Sequence, residues 1–200
     1  MITFYILIMF FSITLHEYFH GWTAYKLGDP TPKISGRLSL NPLSHIDFFG
    51  TIILPFLLLV MSRGAFSFGY AKPVPINPYH FKRPKRDFML VGLAGPLANI
   101  SIALILAFFL KLTSLFYDVI VWGIVINLIL GFFNLLPIPP LDGSKAVAYF
   151  LPSRFYFNFL RLEMVGFIII IFLIMIGFFE WFILPLIKIV LSLLGIEGVV

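Results

Sequence analysis

Cysteine is absent from the 200 residues, which excludes disulfide frameworks, thiolate metal sites and cysteine nucleophiles. Any metal must therefore be held by His, Asp or Glu. Charge is scarce too: Asp, Glu, Lys and Arg make up 12% of the chain, about half the share of an ordinary soluble domain. No segment is low in complexity and no internal repeat is visible. The opening MITFYILIMFFSITL lacks the basic start and small-residue cleavage site of a signal peptide, and reads as a retained membrane helix.

What fills the chain is apolar: 60% hydrophobic and 18% aromatic residues, with a mean hydropathy of +1.04. Such a chain has a bilayer as its solvent. The net charge of +5, from 14 Lys and Arg against 9 Asp and Glu, reads as a set of topology signals in loops. Without a basic helix or an aromatic ladder, nucleic acid is not expected as a partner. The lipid bilayer is.

A span of about 30 Å needs close to 20 apolar residues. Residues 2–25, 88–110 and 118–136 meet that test, and 162–179 and 181–194 are two further runs separated by Glu180. The run from Phe48 to Met61 is short for a span, which suits a re-entrant piece or half of a paired crossing. Pro-containing connections at 26–47 and 63–87 hold extended stretches at 33–40 and 67–75 that could be strand edges. The expectation is an all-α polytopic membrane protein with about five to six transmembrane helices, a re-entrant segment and short extended strands between the first and middle helices. It forms one membrane-embedded unit over 1–200, with a catalytic core over about 1–150 and C-terminal helices over 155–194 as scaffold.

The first apolar run ends in L-H-E-Y-F-H-G-W, residues 15–22. Residues four apart share a helix face, so His16 and His20 can offer both imidazoles to one ion with Glu17 beside them. This is the H-E-x-x-H pattern, in which two histidines bind zinc and the glutamate is the general base. The alternative is a pair of interfacial histidines at a helix end. An ionisable group in hydrocarbon costs about 2.5–3.5 kcal/mol on insertion scales, so three together at helical spacing favour function.

A catalytic zinc takes three protein ligands and an open fourth position. His45 and His80 are candidates for the third, though both sit in polar, Pro-containing loops. Asp142 is the stronger one: it lies in N-L-L-P-I-P-P-L-D-G, residues 134–143, where an apolar helix ends in prolines and leaves an acid in an unwound segment. Asp142 could instead cap a short helix from Gly143 to Tyr149.

His16-Glu17-Tyr18-Phe19-His20, Gly95-Pro96-Leu97-Ala98-Asn99 and Asn134-x-x-Pro137-x-Pro139-x-x-Asp142-Gly143 together resemble the site-2 protease family of intramembrane zinc metalloproteases, over roughly residues 1–150. A-K-P-V-P-x-N-P before the middle helix is similar to the short prokaryotic members, and a PDZ-like insertion is lacking. The resemblance implies one Zn²⁺ per chain on His16, His20 and Asp142, with Glu17 as base. It makes Asn134 a polar contact near the scissile peptide, where it could steady an oxyanion; the other reading of Asn134 is a bond to carbonyls freed by Pro137. It implies a transmembrane protein or peptide as substrate. Gly95-Pro96 reads as a close-packing site and Asn99 as a buried polar contact.

If Asp142 completes the site, the ends of helices 2–25 and 118–136 lie at one depth, and the segment 26–87 makes an even number of crossings. Nine Lys and Arg fall in 26–87, so the metal side is expected to face the cytoplasm of a multi-pass cell-membrane protein. The rival reading is a transporter or a proton- or metal-conducting protein using the same His, Glu and Asp cluster. It lacks the two-fold repeat of broken helices common in transporters.

Overall fold

The structure is a computed structural model and describes residues 2–61, 71–113 and 115–196. The described residues are helical without a strand, and run as α1 (Ile2–Lys26), α2 (Thr31–Ile34), α3 (Leu54–Met61), α4 (Pro84–Leu112), α5 (Tyr117–Asn134), α6 (Gly143–Phe150), α7 (Ser153–Leu160), α8 (Glu163–Met175) and α9 (Leu184–Leu193). Single 3₁₀ turns lie at Pro42–His45 and Pro78–His80, and π-helical turns precede α3 and α9.

Helix α4 is the centre of the molecule, packed on α1 and α5. Its buried positions are mostly small: Gly92, Gly95, Ala98, Ala103 and Ala107 recur at helical spacing. Lipid tails are as apolar as leucine, so helices in a bilayer gain little from hydrophobic burial and associate through close packing and interhelical hydrogen bonds. Gly131 of α5 illustrates the fit, since a Cβ there would sit 2.8 Å from Ile100 and 3.2 Å from the Pro96 carbonyl oxygen. Ala103 and Ala107 meet Ile124, Leu128 and Ile187 in a core shared by α4, α5 and α9.

Among the described residues, α4 and α5 are long and apolar enough to cross a membrane, and a third span results if α7 and α8, bent by 60°, form one. This is fewer than the five to six expected. The 25-residue α1 has the length, but its polar end dilutes its apolar run. The C-terminal stretch is interrupted at Gly177, whose φ of +76° ends the helix there.

The expected strands at 33–40 are absent. Pro30 and Pro32 have the φ that opens a helix, and the backbone nitrogens of Arg37 and Leu38 turn back to the Pro32 carbonyl at 2.9 and 3.1 Å. Residues 71–76 are extended but build no ladder: Pro73 and Pro75 have no N–H, and the N–H groups of Lys72 and Val74 are used elsewhere. Lys72 N donates to His45 O at 2.9 Å and Val74 N to Glu17 Oε2 at 3.0 Å. The rest of the expected strand 67–75, and the return path after Met61, lie outside the described residues.

Asp29 anchors this extended segment beside α1. It is fully buried, and accepts from Thr31 N at 3.0 Å, Thr31 Oγ1 at 2.5 Å, Asn77 N at 2.7 Å and His80 Nδ1 at 2.8 Å. Burial opposes its ionisation, yet these hydrogen bonds outweigh that and hold its carboxyl below the usual carboxylate range. Four donors on one carboxylate explain why the loop after α1 and the Pro-containing segment keep a fixed relation to Glu17.

Candidate metal centre

His16 and His20 lie one turn apart on α1, both buried, with their ring centroids 4.6 Å apart and the rings nearly perpendicular. Each ring is fixed through Nδ1 by α4. His20 Nδ1 lies 2.7 Å from the Val91 carbonyl oxygen, which can only accept, so Nδ1 carries the proton. His16 Nδ1 lies 2.5 Å from Asn99 Oδ1.

The orientation of the Asn99 amide follows from its other partners. Its Nδ2 faces the Ser12 carbonyl oxygen at 3.2 Å and Asn127 Oδ1 at 2.7 Å, while Asn127 Nδ2 is committed to Ser12 Oγ and Gly123 O at 2.8 Å each. Asn99 Oδ1 is therefore an acceptor, and His16 Nδ1–H donates to it. Asn99 and Asn127 are almost without solvent exposure, which makes every unmade bond in this chain of amides expensive.

With Nδ1 of each ring turned to α4, both Nε2 atoms point inward, where each can offer a lone pair. The two Nε2 atoms are 3.0 Å apart, and each is 3.0 Å from Asp142 Oδ2. Three lone-pair bearers at this separation repel unless a cation or proton lies among them. Ligands about 2.0–2.1 Å from a tetrahedral ion are roughly 3.3 Å apart, close to the spacing seen. Two imidazoles and one carboxylate are also a donor set that suits zinc with one position open. His16, His20 and Asp142 form a group able to hold a metal ion.

Gly95 makes room for this centre. A Cβ at that position would stand 2.4 Å from His20 Nε2 and 2.7 Å from His16 Nε2. Asp142 comes from the segment after α5, where Gly143 sits so close to Leu135 that a Cβ would meet its carbonyl oxygen at 2.1 Å. Asp142 occupies the position before α6 but makes no side-chain cap bond. Its carboxylate goes to the histidines and to Lys145, so the helix-cap alternative does not describe it.

Glu17 and Asn134 adjoin the same space. Glu17 Oε2 is held by Val74 N, and both residues line a cavity of about 180 Å³ together with His16, His20 and Asp142. A larger cavity of about 570 Å³ opens from it between α1, α5 and α8, with Ile13, Leu130, Phe133 and Ile170 on its walls. Asn134 Nδ2 donates to Leu130 O at 3.0 Å, a carbonyl of its own helix and not one freed by Pro137. His45 is buried on Ser39 O and His80 is bound to Asp29, so neither belongs to the cluster.

The reading of Gly95 as a close-packing site and of Asn99 as a buried polar contact agrees with these positions, while Val91 and Lys145 have no place in the sequence reading of the site. The available signal was the row Val91, Gly92, Gly95 and Asn99 on one face of α4, an amide and two glycines in a helix otherwise built for hydrocarbon.

A helical chain that gathers two histidines and an aspartate beside a glutamate and an accessible cavity has the donor set of a metallopeptidase. The comparisons with known proteins agree with this class. The model of Peptidase family M50 matches residues 4–117 and 111–177, so the chain belongs to that family, the site-2 proteases, and is a zinc metalloprotease. Two relatives carry the name Putative zinc metalloprotease: YwhC of Bacillus subtilis, 40% identical over 79% of this chain and 74% of its own length, and Rip2 of Mycolicibacterium smegmatis, 35% identical over 68% and 52%. The chain thus spans about three quarters of the first and about half of the second. Zinc metalloprotease MJ0392 of Methanocaldococcus jannaschii is 25% identical over 74% of this chain and 34% of its own length. No solved structure gives a significant match. None of these findings supports the transporter reading.

Gly95→Ala tests the crowding at the centre. Alanine in a helix interior is favoured over glycine by about 0.8–1.0 kcal/mol, so the helix itself is not weakened. The expected result is a zinc content at least tenfold below wild type by elemental analysis of the purified protein, with the helical circular dichroism retained. Wild-type zinc content would show that the histidines tolerate the methyl group.

Proposed function

We propose that this protein is an intramembrane protease that hydrolyses peptide bonds within or near transmembrane segments of membrane-protein substrates. His16, His20 and Asp142 hold one zinc ion, Glu17 is the general base, and Asn134 contacts the substrate backbone near the scissile bond. The observation that carries the proposal is the convergence of three inward-facing lone pairs, on residues separated by more than 120 positions, at the polar end of an apolar helix.

Zinc, when bound, supplies Lewis acidity to the scissile carbonyl and the attacking water. The chain supplies the rest. Glu17, one residue from His16 and anchored on one oxygen by Val74 N, keeps its second oxygen available to take a proton from water and return it to the leaving amine. Asn134 borders both cavities and has amide hydrogens suited to a developing oxyanion. The larger cavity is apolar over most of its wall, which suits the side chains of a transmembrane segment that has been locally unwound.

The chain lies in the cell membrane in this reading, with α1 crossing in addition to α4 and α5, and with the metal side toward the cytoplasm. The excess of Lys and Arg in 26–87 supports that orientation. Single cysteines introduced at Ser35 and Thr113 into this cysteine-free chain report it: a membrane-impermeant maleimide added from outside should label position 113 and not 35. Labelling of position 35 from outside would reverse the orientation.

Zinc content and cleavage of a model transmembrane substrate separate the assigned roles. Glu17→Gln should keep one zinc and lose cleavage by at least about a hundredfold, the lower end of the range for removing a general base. Asp142→Ala should lose both. Undiminished cleavage by Glu17→Gln would remove the protease mechanism proposed here.

A further inference from the structure

The geometry points to Lys145 as a positioning residue of the metal centre: it ties Oδ1 of Asp142 and so leaves Oδ2 as the one carboxylate donor to the ion. This inference rests on the reading that His16, His20 and Asp142 hold the metal.

Lys145 lies in the first turn of α6, three residues after Asp142, with its Nζ 2.6 Å from Asp142 Oδ1. The opposite oxygen, Oδ2, is the one that stands 3.0 Å from both histidine Nε2 atoms. The two oxygens of one carboxylate are thus divided between a cation of the chain and the centre. A surface lysine usually runs its stem along apolar groups and leaves its ammonium in water. Here the side chain is 19% exposed and its ammonium is turned onto a carboxylate that is itself 9% exposed.

The fold makes a specific place for this side chain. Gly92 of α4 forms the floor under its stem, because a Cβ there would come 2.6 Å from Lys145 Cδ and 2.9 Å from its Cβ. The Phe88 ring lies 5.6 Å from the ammonium, an attractive arrangement for a cation over an aromatic face. Helix α4 therefore supports both sides of the centre: Val91 and Asn99 hold the imidazoles, and Phe88 and Gly92 hold the lysine that holds the aspartate.

The consequence is a restriction on coordination. A free carboxylate can meet a metal through one oxygen or both, and the two-oxygen mode would consume the position needed for water and substrate. With an ammonium on Oδ1, that mode requires breaking a short charge-assisted hydrogen bond. Partners of this kind, one bond removed from the metal, typically contribute 10–100-fold to metal affinity or activity.

The test uses the full chain purified in detergent and loaded with Co²⁺, whose visible absorption is intense in four-coordinate sites and weak in higher coordination. Lys145→Met keeps the stem over Gly92 and removes the donors; Lys145→Gln is a second variant with a polar end, and Lys145→Arg restores the charge. The expected result is a roughly twofold or greater loss of cobalt absorption per bound ion in the Met and Gln variants. Release of cobalt to a chelator should be at least tenfold faster in both, with thermal unfolding close to wild type and recovery in Lys145→Arg. A spectrum and release rate in the Met and Gln variants equal to wild type would overturn the role of Lys145 while leaving the metal site intact. Failure of the wild type to take up cobalt, or an unchanged spectrum in Asp142→Ala, would overturn the ligand assignment and this inference with it.

Discussion

Two imidazole nitrogens and one carboxylate oxygen held 3.0 Å from one another form the constraint on which the rest of the structure depends. Bringing a helix end and a segment more than 120 residues later to a single point requires that the ends of α1 and α5 share a depth. It requires that α4, which lies against both, give up bulk where the rings sit, and Gly95 does so. It also requires that the rings turn the correct nitrogen inward, which Val91 and Asn99 ensure by accepting from Nδ1. Ligand identity and ring orientation are thus separate problems, solved on separate helices.

The same constraint explains the polar residues inside apolar helices. Ser12, Asn99 and Asn127 come from α1, α4 and α5 and bond to one another across the helix interfaces. Interhelical hydrogen bonds in bilayers average about 0.6 kcal/mol and reach about 1.7, so this network adds modest stability. Its larger effect is on specificity, because a rotation of α4 that buried a different face would leave several amide groups unpaired at about 1–3 kcal/mol each. Glu17 is organised from the opposite side, by Val74 N in an extended segment that Asp29 anchors through Asn77 and His80.

The parts of the site legible in the sequence were those written in helical period or in punctuation. His16, Glu17 and His20 follow from four-residue spacing, and Asp142 from the prolines that end an apolar run. Gly95 was legible as a close-packing site and Asn99 as a buried polar contact, but that they serve the histidines, and that Val91 does, was not, because the rings lie 71 to 83 residues away from Val91 and Asn99 in α1. Nothing in the sequence distinguishes Lys145 from an ordinary basic residue, since its tie to Asp142 depends on where the side chain turns. Among the fold elements, α1, α4 and α5 were plain from their length. The strand expected at 33–40 failed because Pro30 and Pro32 suit a helical first turn as well as an extended chain. The two C-terminal runs are not confirmed as separate spans: the expected break at Glu180 falls at Gly177, whose positive φ ends α8, and Gly166, which lacks a Cβ, lets α8 meet the Pro139 carbonyl oxygen directly.

The central claim is that α4 orients two imidazoles so that they and Asp142 close around one zinc ion. X-ray absorption at the zinc edge of the purified protein tests it most directly. The account predicts one zinc per chain in a shell of about four nitrogen and oxygen scatterers at roughly 2.0–2.1 Å, with the multiple-scattering signature of two imidazoles. In Asn99→Ala the imidazole contribution should become disordered while the average distance is kept. A shell of oxygen atoms without imidazole features in the wild type would contradict the account.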